Sequence, residues 1–557
     1  MVGKNHKLSN WTYTNTFLES RHGQSEDIFD TAQVWLKDCI DNHKFCQHKE
    51  GDEGPTRLLF IADGKVRLVE TAGRYKGQYS TLSHAWGTKP FLKLTHATYQ
   101  QFLQQIPFGQ LQKTFQDAIS ISRRLNIDFI WIDSLCIIQE DEADWTRESG
   151  RMSVVYGRST LNIAATSAVD GSQGCFLKAP SVIGGVQTRV TVDGKPELRN
   201  FHRGQFEYDM ATTSHLATRA WTVQEKVLAP RTMYIGDRGV VWECRTTIAS
   251  EFLPDGFQDP LIISIVSRGE DRLREHWSTI MELYSRASLT YASDKLPALS
   301  GMARQVADES HDDYIAGMWR EGLDFQLCWR TVGRTTRTAY RAPSWCWTSL
   351  DGPIKLPGGH FKEELVQVLD TNVKLCGEDP FGHVQGGWIK LACSTMGIGY
   401  AIDRPEPLRY WNPNSYEIKL MVGMDEWEEA PFIVERDYTD EQPGVGDKVY
   451  LVPLRAGSVG YGVGEWFSIA FCGILLQEYG SKKGEFRRVG SFQFHGEQKH
   501  KSKEDAVGSS TMPITRGDYT RFKEILNQAG AEIAERASTG ITKHMGDIGT
   551  GYVITIV

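Results

Sequence analysis

The chain lacks the features that mark membrane, secreted and nucleic-acid-binding proteins. No apolar stretch is long enough to span a bilayer, and the N-terminal residues lack the apolar segment of a secretory signal. The ten cysteines are scattered singly, which is typical of thiols in a reducing compartment rather than of a disulfide framework. A net charge of -8 gives no reason to expect nucleic acid as a partner. We therefore expect a cytoplasmic protein without a membrane span and without a nucleic-acid partner.

Glycine patterns that cradle phosphates are also missing. Gly236 and Gly239 stand alone, and neither GxGxxG nor a Walker loop occurs. The chain has no internal repeat, so it lacks a solenoid. The sequence predicts no bound cofactor.

The most informative stretch is the run at residues 129–139, FIWIDSLCIIQ. It is apolar and rich in β-branched and aromatic residues, which predicts a strand buried on both faces. Asp133, Cys136 and Gln139 interrupt it. Because ligand sites of α/β folds gather at strand ends, these residues are candidates for chemistry.

Strand and helix patterns alternate around this run. Strands are predicted at residues 57–70 (a hairpin turning at Asp63 and Gly64), 79–83, 129–139, 159–167 and 231–234, and helices at 31–45, 111–125, 144–156, 214–228 and 276–289. The alternation indicates an α/β fold, a parallel sheet flanked by helices. Residues 170–205 are expected to form a surface excursion. From about residue 361 short alternating runs predict a β-rich C-terminal domain, with strands within 388–392, 416–421, 448–453, 467–476 and 486–494, a loop at 497–510 and a helix near 518–529. Four segments follow, at 1–56, 57–255, 256–355 and 356–557.

Two glutamates are predicted to face inward beside tryptophans. Glu148 shares a helix face with Trp145, and Glu225 lies four residues after Trp221. Burial raises the pKa of a carboxyl group unless a cation or hydrogen-bond donors pair with it. Each glutamate is therefore either a catalytic candidate or the partner of a buried arginine. Asp133 is likewise either a catalytic candidate or a residue that caps a helix or binds loop amides at the end of the strand.

Cysteine and histidine residues allow further alternatives. Cys136 is either a nucleophile with His84 as its base or an inert packing residue. Cys39, His43, Cys46 and His48 lie close in sequence and offer four soft ligands, but the distant second pair typical of zinc fingers is missing. The alternative is a short helix whose Cys and His side chains pack against the domain, so we assign no metal ligand from the sequence.

Five stretches together resemble the fungal heterokaryon incompatibility (HET) domain. They are YSTLSHAWG (79–87), FIWIDSLCIIQEDEADW (129–145), ESGRMSVVYGRSTLNIAATS (148–167), GCF (174–176) and RAWTVQEKVLAPRTMYIG (219–236). The similarity extends over roughly residues 31–352, which places the domain itself at 57–255. It implies a protein of non-self recognition and regulated cell death.

HET domains have in turn been likened to Toll/interleukin-receptor (TIR) domains, which implies an elaborated TIR-like fold. Some TIR domains cleave NAD at the nicotinamide–ribose bond with a glutamate in a Trp-x-x-x-Glu segment, the spacing of Trp221 and Glu225 here. The resemblance implies that Glu225 stabilises the positive charge, with Trp221 as a wall of the pocket, and that Asp133 and Glu148 orient loops or substrate.

The substrate side of this site is assigned by the same resemblance. Ser83, His84, Trp86 and Gly87 would line the nucleotide side, and Cys136 is included as a substrate-binding candidate. NAD would be a substrate rather than a cofactor, and self-association would complete the site. Two alternatives stay open: a HET-like enzyme of secondary metabolism acting on a small molecule, and a non-catalytic signalling or assembly module.

Overall fold

The structure is a computed structural model, and the chain folds into two compact units. Unit 1 comprises Met1–His276 with Ala287–Leu289, and unit 2 comprises Trp277–Arg286 with Thr290–Val557. The structure describes residues 8–19, 26–47, 53–177, 183–192, 195–202, 206–251, 253–257, 273–337, 339–393, 395–402, 415–422, 426–429, 432–438, 446–461, 466–480, 484–500, 542–546 and 549–557. The division into four segments stays a prediction.

The described part of unit 1 alternates strands and helices. Its strands are β1 (Leu8–Glu19), β2 (Arg57–Phe60), β3 (Arg67–Glu70), β4 (Ser80–Ser83), β5 (Phe129–Trp131), β6 (Leu161–Ala165), β7 (Ile183–Val192), β8 (Lys195–His202), β9 (Arg231–Gly236), β10 (Gly239–Cys244), β11 (Ile248–Ser250) and β12 (Leu253–Phe257). Its helices are α1 (Glu26–Asn42), α2 (Tyr99–Gln104), α3 (Lys113–Arg124), α4 (Asp133–Cys136), α5 (Glu142–Ser149), α6 (Met152–Gly157), α7 (Phe206–Thr212) and α8 (Ala220–Leu228), with 3₁₀ turns at Lys44–Cys46, Phe108–Gln110 and Leu216–Thr218.

Nine of these strands form one mixed sheet in the order β12-β11-β10-β9-β6-β4-β5-β2-β3. Its centre is parallel, because β4 pairs in parallel with both β5 and β6, and β6 pairs in parallel with β9. Antiparallel strands extend the sheet on both sides. The fold is therefore α/β, as predicted, but only the central four strands are parallel. Every residue of β4, β6 and β9 is buried, as expected for strands covered on both faces.

The order of the four parallel strands reverses at β4. The chain first moves from β4 outward to β5, and then returns to the other side of β4 to place β6 and β9. In doubly wound sheets the crevice for a ligand lies outside the carboxyl ends of the strands at such a reversal. The strand order thus predicts a ligand crevice at the carboxyl ends of β4 and β6.

Several element boundaries differ from those predicted. The run at 129–139 is a strand only as far as Trp131, and α4 then begins at Asp133, whose Oδ1 accepts the Ser134 N–H at 2.6 Å. A short polar side chain that bonds a nearby N–H favours a turn over continued strand. The single helix expected at 144–156 is two helices, α5 and α6, and α8 begins only at Ala220.

Other unit 1 predictions are confirmed. The hairpin of β2 and β3 turns through Asp63 and Gly64, both at positive φ. The α3 stripe is buried, including Phe115, Ala118 and Ile119. The segment at 170–205 contains β7 and β8, which form a separate three-stranded sheet with β1, and its position on the surface stays a prediction.

Unit 2 is rich in strands, as predicted. Its helices are α9 (Trp277–Ser285), α10 (Pro297–Ser310) and α11 (Leu323–Gln326), with 3₁₀ turns at Ala292–Lys295 and Trp347–Ser349. Its strands are β13 (Tyr314–Ile315), β14 (Met318–Trp319), β15 (Arg330–Thr331), β16 (Thr336–Arg337), β17 (Leu350–Asp351), β18 (Ile354–Lys355), β19 (His360–Glu364), β20 (Val366–Leu375), β21 (Val384–Cys393), β22 (Gly397–Ile402), β23 (Ser415–Val422), β24 (Glu426–Glu429), β25 (Phe432–Arg436), β26 (Lys448–Tyr461), β27 (Trp466–Glu478), β28 (Glu485–His500), β29 (Thr542–Gly546) and β30 (Gly549–Ile556).

A twelve-stranded sheet contains the strands from β19 onward. All five predicted strand runs lie within it. The helix predicted at 518–529 and the loop predicted beyond residue 500 lie outside the described residues, whereas residues 497–500 belong to β28.

Buried aromatic and charged side chains fill the unit 2 core. Trp345 and Trp347 are fully buried, and Arg488 forms a buried ion pair with Asp437 at 2.9 Å while its guanidinium lies over the Trp329 ring. The aromatic-dense segment at 345–347 therefore packs the core. Among the described residues, no helix has both the length and the apolar character needed to cross a membrane.

Candidate functional site

The carboxyl ends of the parallel strands bring polar side chains together. Ser83 is the last residue of β4 and His84 follows it, while Asp133 lies just beyond β5. Helix α8 supplies Glu225 to the same region. Four of the residues predicted from the sequence therefore meet at the edge that the strand order identifies.

Glu225 is buried without a hydrogen-bonded cation. Its residue is 7% exposed, and its Oε2 has no hydrogen-bond partner among the described residues. Burial raises the pKa of its carboxyl group to about 7, the Asp133 charge adds to this, and the Ser83 hydroxyl and the Arg219 charge oppose it. Such a carboxyl group exchanges a proton near neutral pH, which suits general acid or base chemistry.

Three cations that lie near Glu225 in the sequence bind other groups. Arg219 donates from Nη1 to the His84 carbonyl oxygen at 2.8 Å, Lys226 lies 3.7 Å from Glu243 Oε2, and Arg231 donates to Cys39 Sγ. Glu225 is thus not closed off in an ion pair.

Asp133 and His84 form a second part of the site. Asp133 Oδ2 accepts the Trp86 indole N–H at 2.8 Å, and His84 Nε2 lies 3.8 Å from Asp133 Oδ1, beyond hydrogen-bond distance. His84 Nε2 has no hydrogen-bond partner among the described residues. Burial lowers the pKa of His84, which keeps its imidazole neutral.

A shallow cleft opens beside these residues; its empty space of about 290 Å³ includes open solvent, and little of it is enclosed. Ser83 is one of the residues that line it, whereas Glu225 is not. The other lining residues come from β6, β9, α8 and the segment before α8: Asn162, Ala164, Thr166, Ala211, Ser214, Leu216, Ala217, Thr222, Lys226 and Tyr234.

Several polar residues of this region were not predicted from the sequence. Asn162 Oδ1 accepts the hydroxyls of Ser83 and Thr81, each at 3.1 Å, and Tyr234 donates to Glu243 at 2.6 Å. The signal was present at Asn162, since it is the one amide within the buried run STLNIAATS. A polar residue inside a buried strand needs a hydrogen-bond partner, and Asn162 has two in the hydroxyls of Ser83 and Thr81.

Glu148 lies in a different network, where it is the partner of a buried arginine. It is 1% exposed, lies 3.3 Å from Arg57 Nη2 and accepts the Thr56 hydroxyl at 2.7 Å. Arg57 also binds both oxygens of Asp144 at 2.7 Å. This closed ion pair gives no support to a catalytic Glu148.

Three further candidates have positions that limit their roles. Cys136 is fully buried, and burial raises the pKa of its thiol to about 12, which disfavours a nucleophile. Trp221 does not line the cleft; instead it packs edge-to-face against Trp145 with ring centroids 6.2 Å apart. Gly87 has a φ of +66°, and a Cβ there would lie 2.3 Å from Asp170 Cβ.

Comparisons with known proteins agree with the motif assignment. Residues 79–225 match the family model of the heterokaryon incompatibility protein (HET), so this part of the chain is a HET domain. The family is associated with fungal heterokaryon incompatibility. No curated protein and no solved structure matches the chain.

Proposed function

We propose that the HET domain is a catalytic module of fungal non-self recognition and regulated cell death, and that it hydrolyses the nicotinamide–ribose bond of NAD with Glu225 as the working carboxylate. The observation that carries this proposal is a buried glutamate, without a hydrogen-bonded cation, at the reversal point of a doubly wound sheet. Buried carboxyl groups with shifted pKa values cluster at functional sites.

The chemistry matches a carboxyl group of this kind. As the bond breaks, its electron pair leaves with nicotinamide and cancels the pyridinium charge, and positive charge develops on the ribose C1′. An ionised Glu225 stabilises that charge. Water then adds to C1′ and gives its proton to the carboxylate, which is effective near neutral pH because its pKa is about 7.

The surroundings of Glu225 support this arrangement. Ser83 lines the cleft and its hydroxyl interacts with Glu225, and Lys226 provides a positive charge on the cleft wall. The cleft encloses little space, so we expect it to widen before it holds the nicotinamide riboside end of the dinucleotide. Displacement of the segment at 211–217, which forms part of the wall, would then admit the ribose to Glu225.

The test is nicotinamide release from NAD by the purified full-length chain. We expect the wild type to release nicotinamide, Glu225→Gln to be slower by roughly 10²–10⁴-fold, and the exposed control Glu142→Gln to match the wild type. Undiminished release by Glu225→Gln would remove the assignment of this residue. Self-association by light scattering with no release of nicotinamide would instead favour the non-catalytic assembly module.

A further inference from the structure

A second cluster in unit 1 joins residues that are distant in sequence. Cys39 lies in α1, His43 directly precedes the 3₁₀ turn at Lys44–Cys46, and Cys46 is the last residue of that turn. Cys244 is the last residue of β10. One donor atom from each of these four side chains lies within 4.8 Å of all the others. We propose that Cys39, His43, Cys46 and Cys244 bind one Zn²⁺ ion in a tetrahedral site that fastens α1 to the β10–β11 hairpin.

The donor geometry fits a single tetrahedral ion. With Zn–S near 2.3 Å and Zn–N near 2.0 Å, ligand atoms on one ion lie roughly 3.5–3.8 Å apart. His43 Nδ1 lies 3.4 Å from Cys244 Sγ, and all donors lie within 4.8 Å. The four ligands of a [4Fe–4S] cluster are held farther apart because each binds a different iron atom. Three thiolates with one imidazole are a preferred set for structural zinc.

The histidine is oriented as a metal ligand would be. Its Nδ1 faces the sulfur atoms, whereas its Nε2 lies 3.4 Å from Asp38 Oδ2. Metal-ligating histidines usually donate their second N–H to a carboxylate or a carbonyl, which fixes the ring and its tautomer. Asp38 is thus placed to orient the imidazole of His43 for metal binding through Nδ1.

Donors from the protein also surround the three sulfur atoms. Arg231 Nε donates to Cys39 Sγ at 3.1 Å, the Thr247 N–H donates to Cys244 Sγ at 3.3 Å, and the Thr246 hydroxyl lies 3.7 Å from Cys46 Sγ. Each sulfur atom therefore lies beside a polar group of the protein as well as beside the other proposed ligands.

The charge of Arg231 gives an independent argument. Its residue is 2% exposed, and within the described part of the chain its guanidinium bonds only to Cys39 Sγ and to the carbonyl oxygens of Thr160 and Cys46. A buried cation without a counter-charge is costly. Three thiolates on a divalent ion leave one net negative charge beside Arg231, which supplies the missing counter-charge.

This site differs from the one considered in the sequence. His48, the fourth candidate there, lies outside the described residues, and Cys244 takes the fourth position from about 200 residues away. The distant ligand that the sequence lacked is therefore a single cysteine at the end of a strand. A metal that closes so long a segment restricts the unfolded chain strongly, as a disulfide does.

The test begins with the wild-type full-length chain purified under reducing conditions and loaded with Zn²⁺ alone. We expect one zinc per chain by elemental analysis, and an X-ray absorption first shell of three sulfur atoms and one nitrogen. Less than stoichiometric zinc, or a shell of only oxygen and nitrogen, would overturn the proposal, and so would a disulfide among Cys39, Cys46 and Cys244 in the reduced protein.

Variants then assign the ligands. Cys244→Ser should lose the zinc, whereas Cys175→Ser, which removes an equally buried thiol outside the cluster, should retain it. In the wild type a strong chelator should expose Cys39, Cys46 and Cys244 to alkylation and increase hydrogen exchange in α1. Retention of one zinc with a three-sulfur shell in Cys244→Ser would contradict the assignment of Cys244.

Discussion

Replacing Glu225 by glutamine should make unit 1 more stable at neutral and alkaline pH. The pKa of this carboxyl group rises from an ordinary value of 4.5 to about 7 because the group is buried. The unfolded carboxyl group therefore loses its proton near pH 4.5, whereas the folded one retains it until about pH 7. Between these values the folded chain binds more protons, so the free energy of unfolding falls as the pH rises.

The size of this effect follows from the same pKa change. One unit of pKa corresponds to about 1.4 kcal/mol, so the ionised Glu225 costs the folded state about 3 kcal/mol above pH 7. Glutamine keeps a similar shape and cannot ionise. The free energy of unfolding of Glu225→Gln, relative to wild type, should therefore increase by about 2.5 kcal/mol between about pH 5 and about pH 8.

The measurement must follow unit 1 by itself, since a two-unit chain has no single free energy of unfolding. Urea titrations read by hydrogen exchange of peptides from β4 and α8 meet this need. The control Glu142→Gln removes an exposed carboxyl group outside the site. If the Glu225→Gln difference stays constant or shrinks as the pH rises, the carboxyl group is not destabilised by its site, and the reasoning fails.

Three further predictions concern unit 1. Gly87→Ala should lower stability by more than about 1 kcal/mol in thermal melts, because φ is +66° and a Cβ would meet Asp170, whereas Gly109→Ala, with open space around it, should be nearly neutral. Arg57→Met should cost about 3–5 kcal/mol in urea unfolding, because it leaves two buried carboxylates without their main cation; a cost below 1 kcal/mol would contradict this. Cys136 should resist iodoacetamide in the folded protein while the exposed Cys376 reacts, and comparable rates by peptide mass spectrometry would refute its burial.

The fold was predictable where local pattern and burial agree. The strands β4, β6 and β9 are apolar runs of ordinary length, and helix α3 has a clear apolar stripe, so periodicity located them. The prediction of one strand over 129–139 was wrong because apolar character does not distinguish a buried strand from a short buried helix. Asp133 decides between them, since its carboxylate bonds the next backbone N–H and ends the strand.

The site was predictable in part for a related reason. Helical spacing identified both inward glutamates, but it could not tell which one meets a cation, because Arg57 lies 91 residues before Glu148 in sequence. The same limit applies to Cys244, about 200 residues from His43. Contacts between distant segments depend on strand order, which local pattern does not determine.

The most direct test of the central claim is a titration of the Glu225 carboxyl group itself. Infrared difference spectra of the wild type against Glu225→Gln isolate the C=O band of this protonated side chain. We expect the band to be present below neutral pH and to disappear with a midpoint near pH 7, in line with a pKa of about 7. Loss of the band at the ordinary glutamate pKa, near 4.5, would show that Glu225 is ionised and paired in the folded protein, and would rule out its proposed role.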